Sequence, residues 1–330
     1  MNVYAADNKK MLNMLILEIL KEYTDTDHRL TQQEIIDLLK LNYGAECDRR
    51  SIRNNIRSLK DMGFEISTER GCYLVERDFD DAELRMLIDS VLFSKNISGA
   101  QAKRLIEKLK GFGNRYFHAK VSHVSNLPEL FHSDNKQVML ALDALNDAIE
   151  EKRKVSFIYN SYGTDFKLHP RRKESYIVNP YQMVANNGRY YLIANYDKYD
   201  DLSHYRIDRM TSVTILDEHA KPKKEIKEFA GGWTLPKHMA EHIYMYSGES
   251  MTVKFTADKS IMDELVDWFG RDFRIKEAEQ GKMTVTLKCN EEAMRYWALQ
   301  YGECIEIKEP ERLRESVKAS VRQMAKAYGI

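Results

Sequence analysis

The hydrophobic pattern of this 330-residue chain changes period along its length, and that change sets the architecture. Up to about residue 151, apolar residues recur every three to four positions, the spacing of helices with one buried face. From 154 to 217 they fall into short β-rich runs broken by Gly, Pro and Asn, and after 251 strand-like and helix-like runs alternate. Such a chain is expected to be a multidomain α+β protein, at roughly 100–200 residues per domain. With 15 Gly and 6 Pro it is neither collagen-like nor broadly disordered. Lys plus Arg is 51 and Asp plus Glu is 51, so a nucleic-acid partner must be met by local patches. Four separated cysteines without a C-x-x-C pair read as reduced thiols. No secretory signal is evident, and no window reaches the ~18 uncharged apolar residues of a membrane span. A cytoplasmic protein with no membrane contact is expected.

The first 80 residues predict helix, short helix, helix, hairpin. Residues 8–23 carry a wide apolar stripe, and Thr31 to Glu34 fits a capping box opening the second helix. Asp48 can cap a third helix that buries Ile52, Ile56 and Leu59 and stops at Gly63. Two β-prone runs around Glu69-Arg70-Gly71 follow. This is the order of a winged helix-turn-helix. The other face of the third helix holds Arg49, Arg50, Ser51, Arg53, Asn54, Arg57 and Lys60, with Asp48 as the single acid. Arg can bond guanine, Asn can bond adenine, and both Lys and Arg neutralise phosphates in a major groove. Arg70, in the wing, is expected on the adjacent backbone. A solvated helix face is the plain alternative. Residues 1–80 hold 12 Lys/Arg against 15 Asp/Glu, so the basic stripe is local and affinity would depend on dimeric avidity.

Residues 81–135 predict a helical linker: Leu84, Leu87, Ile88, Val91 and Leu92 line one helix, and Ala102, Leu105, Ile106 and Leu109 another. From 112 to 135 the pattern is lost and reads as irregular. A helix resumes at 136–151, and the runs of 154–217 suggest a small β-barrel or sandwich.

Within those runs, Tyr190-Tyr191-Leu192 followed by Tyr205-Arg206-Ile207-Asp208-Arg209-Met210 resembles the WYL domain. His169-Pro170 and Asn179-Pro180-Tyr181 fit its pattern too. Tyr190 stands where the name-giving Trp would be, and Tyr205 where Phe is usual; both keep an aromatic ring. The resemblance implies an Sm-like, SH3-like barrel over 136–220 that senses nucleic-acid or other anionic ligands. It also implies a winged helix-turn-helix before it (1–80) and a C-terminal extension after a connector (221–249). Residues 250–330 read as β-α-β-β-α-β, the ferredoxin-like order. A closing helix from Pro310 carries a stripe of Leu313, Val317, Val321, Met324 and Tyr328, suited to a partner in a second subunit.

By motif position the resemblance implies Tyr191, Arg206 and Arg209 as ligand-binding residues, with His169 and Arg171 added. Strand alternation separates Tyr190 and Leu192 from Tyr191; the Tyr190 face is expected in the core and Tyr191 at the ligand. The plain alternative pairs Arg206 with Asp208 or Glu174. His238-Met239-Ala240-Glu241-His242 matches H-x-x-E-H, a zinc-protease pattern. It lies in the connector and reads as coincidence or a surface helix. No catalytic constellation, metal or cofactor is expected, and the chain is not read as an enzyme. The expected function is a ligand-responsive, homodimeric, double-stranded-DNA-binding transcriptional regulator. A nucleotide or single-stranded nucleic acid is a possible effector class. The second reading is an accessory RNA- or single-strand-binding protein in phage defence.

Overall fold

The computed structural model describes residues 11–96, 98–121, 137–229, 232–277 and 281–330. The chain divides into two compact units, residues 1–134 and 135–330.

In the first unit, α1 (Leu12–Tyr23), α2 (Gln32–Tyr43) and α3 (Arg49–Asp61) pack their apolar faces together, with Ile16, Ile19, Leu20, Ile35, Leu39 and Ile52 fully buried. The capping box forms as its residues require: Thr31 Oγ1 accepts from the Glu34 amide, and Glu34 Oε2 accepts from the Thr31 amide. Such a cap contributes about 1 kcal/mol. Asp48 caps α3 by accepting from the Ser51 amide at 2.7 Å. A two-stranded hairpin follows, β1 (Ile66–Ser67) and β2 (Tyr73–Leu74). Its turn uses left-handed backbone at Arg70 (φ 56) and Gly71 (φ 121). A Cβ at Gly71 would meet Arg29 Cβ at 2.8 Å, so only glycine fits there.

Next come α4 (Asp81–Phe93), α5 (Gly99–Lys110) and α6 (Arg115–Val121). Their shared core is Leu84, Ile88, Ile106 and Phe117. Here the structure corrects the sequence reading twice. The stretch read as irregular contains α6, whose start is fixed by Asn114 Oδ1 accepting from the amides of Tyr116 and Phe117; the rest of that stretch, 122–135, lies outside the described residues. Leu87 and Leu105, expected to line buried faces, are 37% and 39% exposed.

The second unit opens with α7 (Val138–Glu150), which lies on a curled, six-stranded antiparallel sheet. Its strands are β3 (Arg153–Tyr162), β4 (Leu168–Pro170), β5 (Tyr176–Asn186), β6 (Arg189–Asn195), β7 (Leu202–Arg206) and β8 (Met210–His219). The order is β4-β3-β5-β6-β7, and β8 returns to pair with β3. The β5–β6 hairpin turns on Asn187 (φ 49) and Gly188 (φ 71), the paired left-handed residues of a two-residue hairpin loop. One sheet face meets α7 through Val155, Phe157, Leu192, Tyr205 and Met210. The other face is covered as well: Tyr181, Val184, Ile193 and Leu202 pack against Ile226 and Met245 of the connector. That connector includes α8 (Leu235–Glu241).

The chain ends in β9 (Ser250–Asp258), α9 (Met262–Phe269), β10 (Arg274–Glu277), β11 (Lys282–Asn290), α10 (Glu291–Gln300), β12 (Ile305–Glu309) and α11 (Glu311–Ala327). These four strands form an antiparallel sheet in the order β10-β11-β9-β12, with Trp297, Phe255 and Leu265 fully buried in its core. In α11 Leu313 is buried, whereas Val321 and Met324, and Tyr328 just past its end, are 51%, 49% and 81% exposed.

Candidate nucleic-acid interface and anion site

Because α3 buries Ile52, Ile56 and Leu59, its basic positions face outward. Arg49, Arg53, Arg57 and Lys60 fall three or four residues apart and form one stripe; Arg50 and Asn54 lie beside it. All six are exposed, as is Arg70 in the hairpin turn, and Ser51 is half-buried. Arg49 donates to Gln33 Oε1 at 3.2 Å, tying the start of α3 to α2. Among the described residues no ion pair holds Arg50, Arg53, Arg57 or Lys60. Asn55 turns back to donate to the Ser51 carbonyl. The stripe is therefore cationic and solvent-facing, and among the described residues Arg53, Arg57 and Lys60 have no ion-pair partner.

The second cluster grows from the end of β7. Asp208, 1% exposed, accepts from Arg206 through Nε (3.0 Å) and Nη2 (2.7 Å), and from Arg189 Nη1 (2.9 Å). The Arg206 amide donates to the Tyr159 hydroxyl at 3.1 Å, and the Arg171 guanidinium sits 4.9 Å from the Tyr159 ring centre. Among the described residues, the buried Nε of Arg209 has no hydrogen-bond partner. Burial lowers the Arg206 pKa, but the bond and charge of Asp208 more than offset this and hold it above its ordinary value. Burial, then the like charge of Arg206, push Arg209 down, with Tyr159 and Asp208 pulling it partly back. Burial raises both the Tyr159 and Tyr191 phenols, with the arginines pulling them partly back. Four guanidiniums thus surround two tyrosines against one carboxylate, an arrangement that favours an added anion.

Of the residues inferred from sequence, Arg171, Tyr191, Arg206 and Arg209 meet here. His169 does not: its Nε2 bonds Asp165 (2.9 and 3.0 Å) within the β3–β4 turn. The expected alternative pairing of Arg206 with Asp208 is present and coexists with the cluster. Tyr190 departs from expectation. Leu192 points into the core beside α7, but Tyr190, one step from the hairpin turn, is 37% exposed. Two members were missed. Arg189 shares the Tyr191 face at i, i+2, a signal present in the sequence; Tyr159 arrives from β3, for which no local signal exists. Two basic residues at the start of β3 are already neutralised: Lys154 binds Asp197 and Glu218, and Arg153 binds Glu151 and Asp217. Arg172 lies 3.6 Å from the Tyr176 ring centre and donates to the carbonyls of Glu174 and Ser175.

The H-x-x-E-H segment also departs from expectation. It is no surface helix: His238 and His242 are 5% and 3% exposed. Among the described residues, Glu228, His238 and His242 form the group able to hold a metal, with one ligand atom from each lying within 4.8 Å of the others. No helix among the described residues is long and apolar enough to cross a membrane.

Comparison with known proteins agrees with this organisation. Residues 141–215 match the WYL domain and residues 248–325 the WCX domain. An uncharacterized HTH-type transcriptional regulator, YobV of Bacillus subtilis (strain 168), is 21% identical over 97% of this chain and 98% of its own. Among solved structures, proteasome accessory factor B/C (PafBC) of Arthrobacter aurescens is 16% identical with a TM-score of 0.30. The match covers 94% of this chain but 47% of PafBC, so the chain spans about half of that protein. A CRISPR Cas-related protein is 14% identical with a TM-score of 0.41, covering 100% of this chain and 87% of that one. The chain thus carries a WYL domain followed by a WCX domain, and over nearly its whole length it is similar to an HTH-type transcriptional regulator.

Proposed function

We propose that the chain is a homodimeric, cytoplasmic, DNA-binding regulator whose WYL domain responds to an anionic effector. One observation carries the DNA half: the exposed cationic stripe of Arg49, Arg53, Arg57 and Lys60 along a helix fixed from behind by its own core. An α-helix fits the major groove, and such a stripe supplies both base and phosphate contacts. The three helices and hairpin support a winged helix-turn-helix with Arg70 in the wing. The curled sheet supports an Sm-like barrel. The order β10-β11-β9-β12 within β-α-β-β-α-β supports a ferredoxin-like extension. Exposed Val321 and Met324 on α11, with Tyr328 just past its end, suit a second copy, and a dimer would double a weak local charge patch.

The effector half rests on Arg171, Arg189, Arg206, Arg209 and Tyr191. Guanidiniums bind phosphates through charge-assisted bonds, and a tyrosine offers a face for a base. Such binding regulates only if it favours one conformation of the protein over another. The same cluster favours the second reading, an RNA- or single-strand-binding accessory protein. Gel shifts of the full chain with one random sequence, as duplex and as single strand over a salt series, separate the two. The regulator predicts duplex binding that weakens steeply with salt and survives Arg206→Ala. Single-strand binding alone, abolished by Arg206→Ala, would replace it with the second reading.

A further inference from the structure

The histidines of the connector have a neighbour that no motif announces. His204, on β7 of the WYL domain, places its ring centre 5.1 Å from that of His238 and 5.0 Å from that of His242; those two are 4.3 Å apart. His238 and His242 share one side of the segment because they are four residues apart. His242 Nδ1 lies 2.8 Å from the Tyr246 carbonyl, which can only accept, so the proton is on Nδ1 and Nε2 carries the lone pair. That is the second-shell arrangement that prepares an imidazole for a metal. Nε2 of His204 and Nε2 of His238 are 2.8 Å apart, so one must donate to the other; among the described residues His204 Nδ1 lacks a well-formed hydrogen bond, although the Tyr246 backbone also acts on this ring.

Glu228 supplies the carboxylate. One of its oxygens, Oε1, accepts from the Leu202 amide at 3.1 Å. Imidazoles beside a carboxylate are the donors preferred by zinc-class ions. A cavity of about 660 Å³, bordered by Glu228, His238 and His242, gives an ion a route in. Glu241 Oε2 is 3.2 Å from Lys288 Nζ, an ion pair that sets it apart from the ligand group.

We propose that Glu228, His238 and His242, completed by His204, bind one zinc-class divalent ion that fastens the edge strand of the WYL domain to the segment leading into the WCX domain. The ion's role here is to cross-link, and the site needs neither the DNA nor the effector reading.

The test uses the full chain, stripped with chelator and titrated with Zn²⁺ against a chromophoric competitor, with Co²⁺ as a spectroscopic substitute. One saturating equivalent per chain is expected, with visible Co²⁺ bands of low-coordinate nitrogen and oxygen ligation. His238→Asn and His242→Asn should each weaken binding about 100-fold or more, and His204→Asn at least about tenfold. Far-UV circular dichroism of each metal-free variant should match the parent. Because a variant can misfold, X-ray absorption of the zinc-loaded parent gives an independent reading: imidazole scattering with Zn–N distances of about 2.0–2.1 Å. Substoichiometric uptake, an all-oxygen shell, or folded variants that bind like the parent would each overturn the site.

Discussion

Replacing Arg53 and Arg57 together by alanine is expected to weaken duplex binding about 100-fold or more at moderate salt, since each good arginine contact is worth about 1–3 kcal/mol. The slope of log affinity against log salt should flatten by about two per protomer if both contact phosphate, because each neutralised phosphate releases about one counterion. Both side chains are exposed and neither forms an ion pair among the described residues, so thermal stability should stay within about 0.5 kcal/mol of the parent. Loss of binding with an unchanged melt therefore isolates recognition from folding. Parent-like affinity and salt slope in the double variant would remove α3 from the interface.

The second large effect concerns stability. Asp208→Ala deletes the one carboxylate that accepts from both Arg189 and Arg206, and leaves their guanidiniums beside Arg209 without compensation. Breaking a buried pair from one side costs about 3–5 kcal/mol. Arg189 and Arg206 keep 26% and 18% side-chain exposure, so water offsets part of this and the lower end applies. At about 2–4 °C per kcal/mol for a unit of this size, the melting midpoint of the second unit should fall by about 6–12 °C. Inorganic phosphate or a short polyanion should restore more stability to the variant than to the parent, because it occupies the place of the missing negative charge. An unshifted melt would mean that Asp208 does not hold the cluster together.

Local signals foretold the parts of the fold that local chemistry determines. The capping box at Thr31, the Asp48 cap and the 3–4 spacing of Ile52, Ile56 and Leu59 each act within one turn of helix, and α2 and α3 follow from them. Helix α6 escaped notice because seven residues rich in aromatics show too little periodicity; its place is set by Phe117 entering the α4–α5 core. The anion cluster was half legible. Tyr191, Arg206 and Arg209 lie in a recognisable motif, and Arg189 shares a strand face with Tyr191. Tyr159 joins only when the β3 and β7 ends of the curled sheet approach each other. The histidine group illustrates the limit most plainly. Its H-x-x-E-H spacing was visible, but burial and the arrival of His204 and Glu228 from 34 and 10 residues before His238 are properties of the tertiary fold.

The segment after β8 is far from a passive tether. By laying Ile226, Phe229, Leu235, Met239 and Met245 over the outer surface of β5, β6 and β7, it leaves the second half of β6, Leu192 to Asn195, with no wet side. Trimming the chain at residue 220 to obtain a minimal sensor would strip this cladding and leave Val184, Ile193 and Leu202 bare to water. Sheets with an uncovered oily face tend to stick to one another. The smallest soluble fragment that retains Tyr191 in its natural surroundings should extend to at least residue 246.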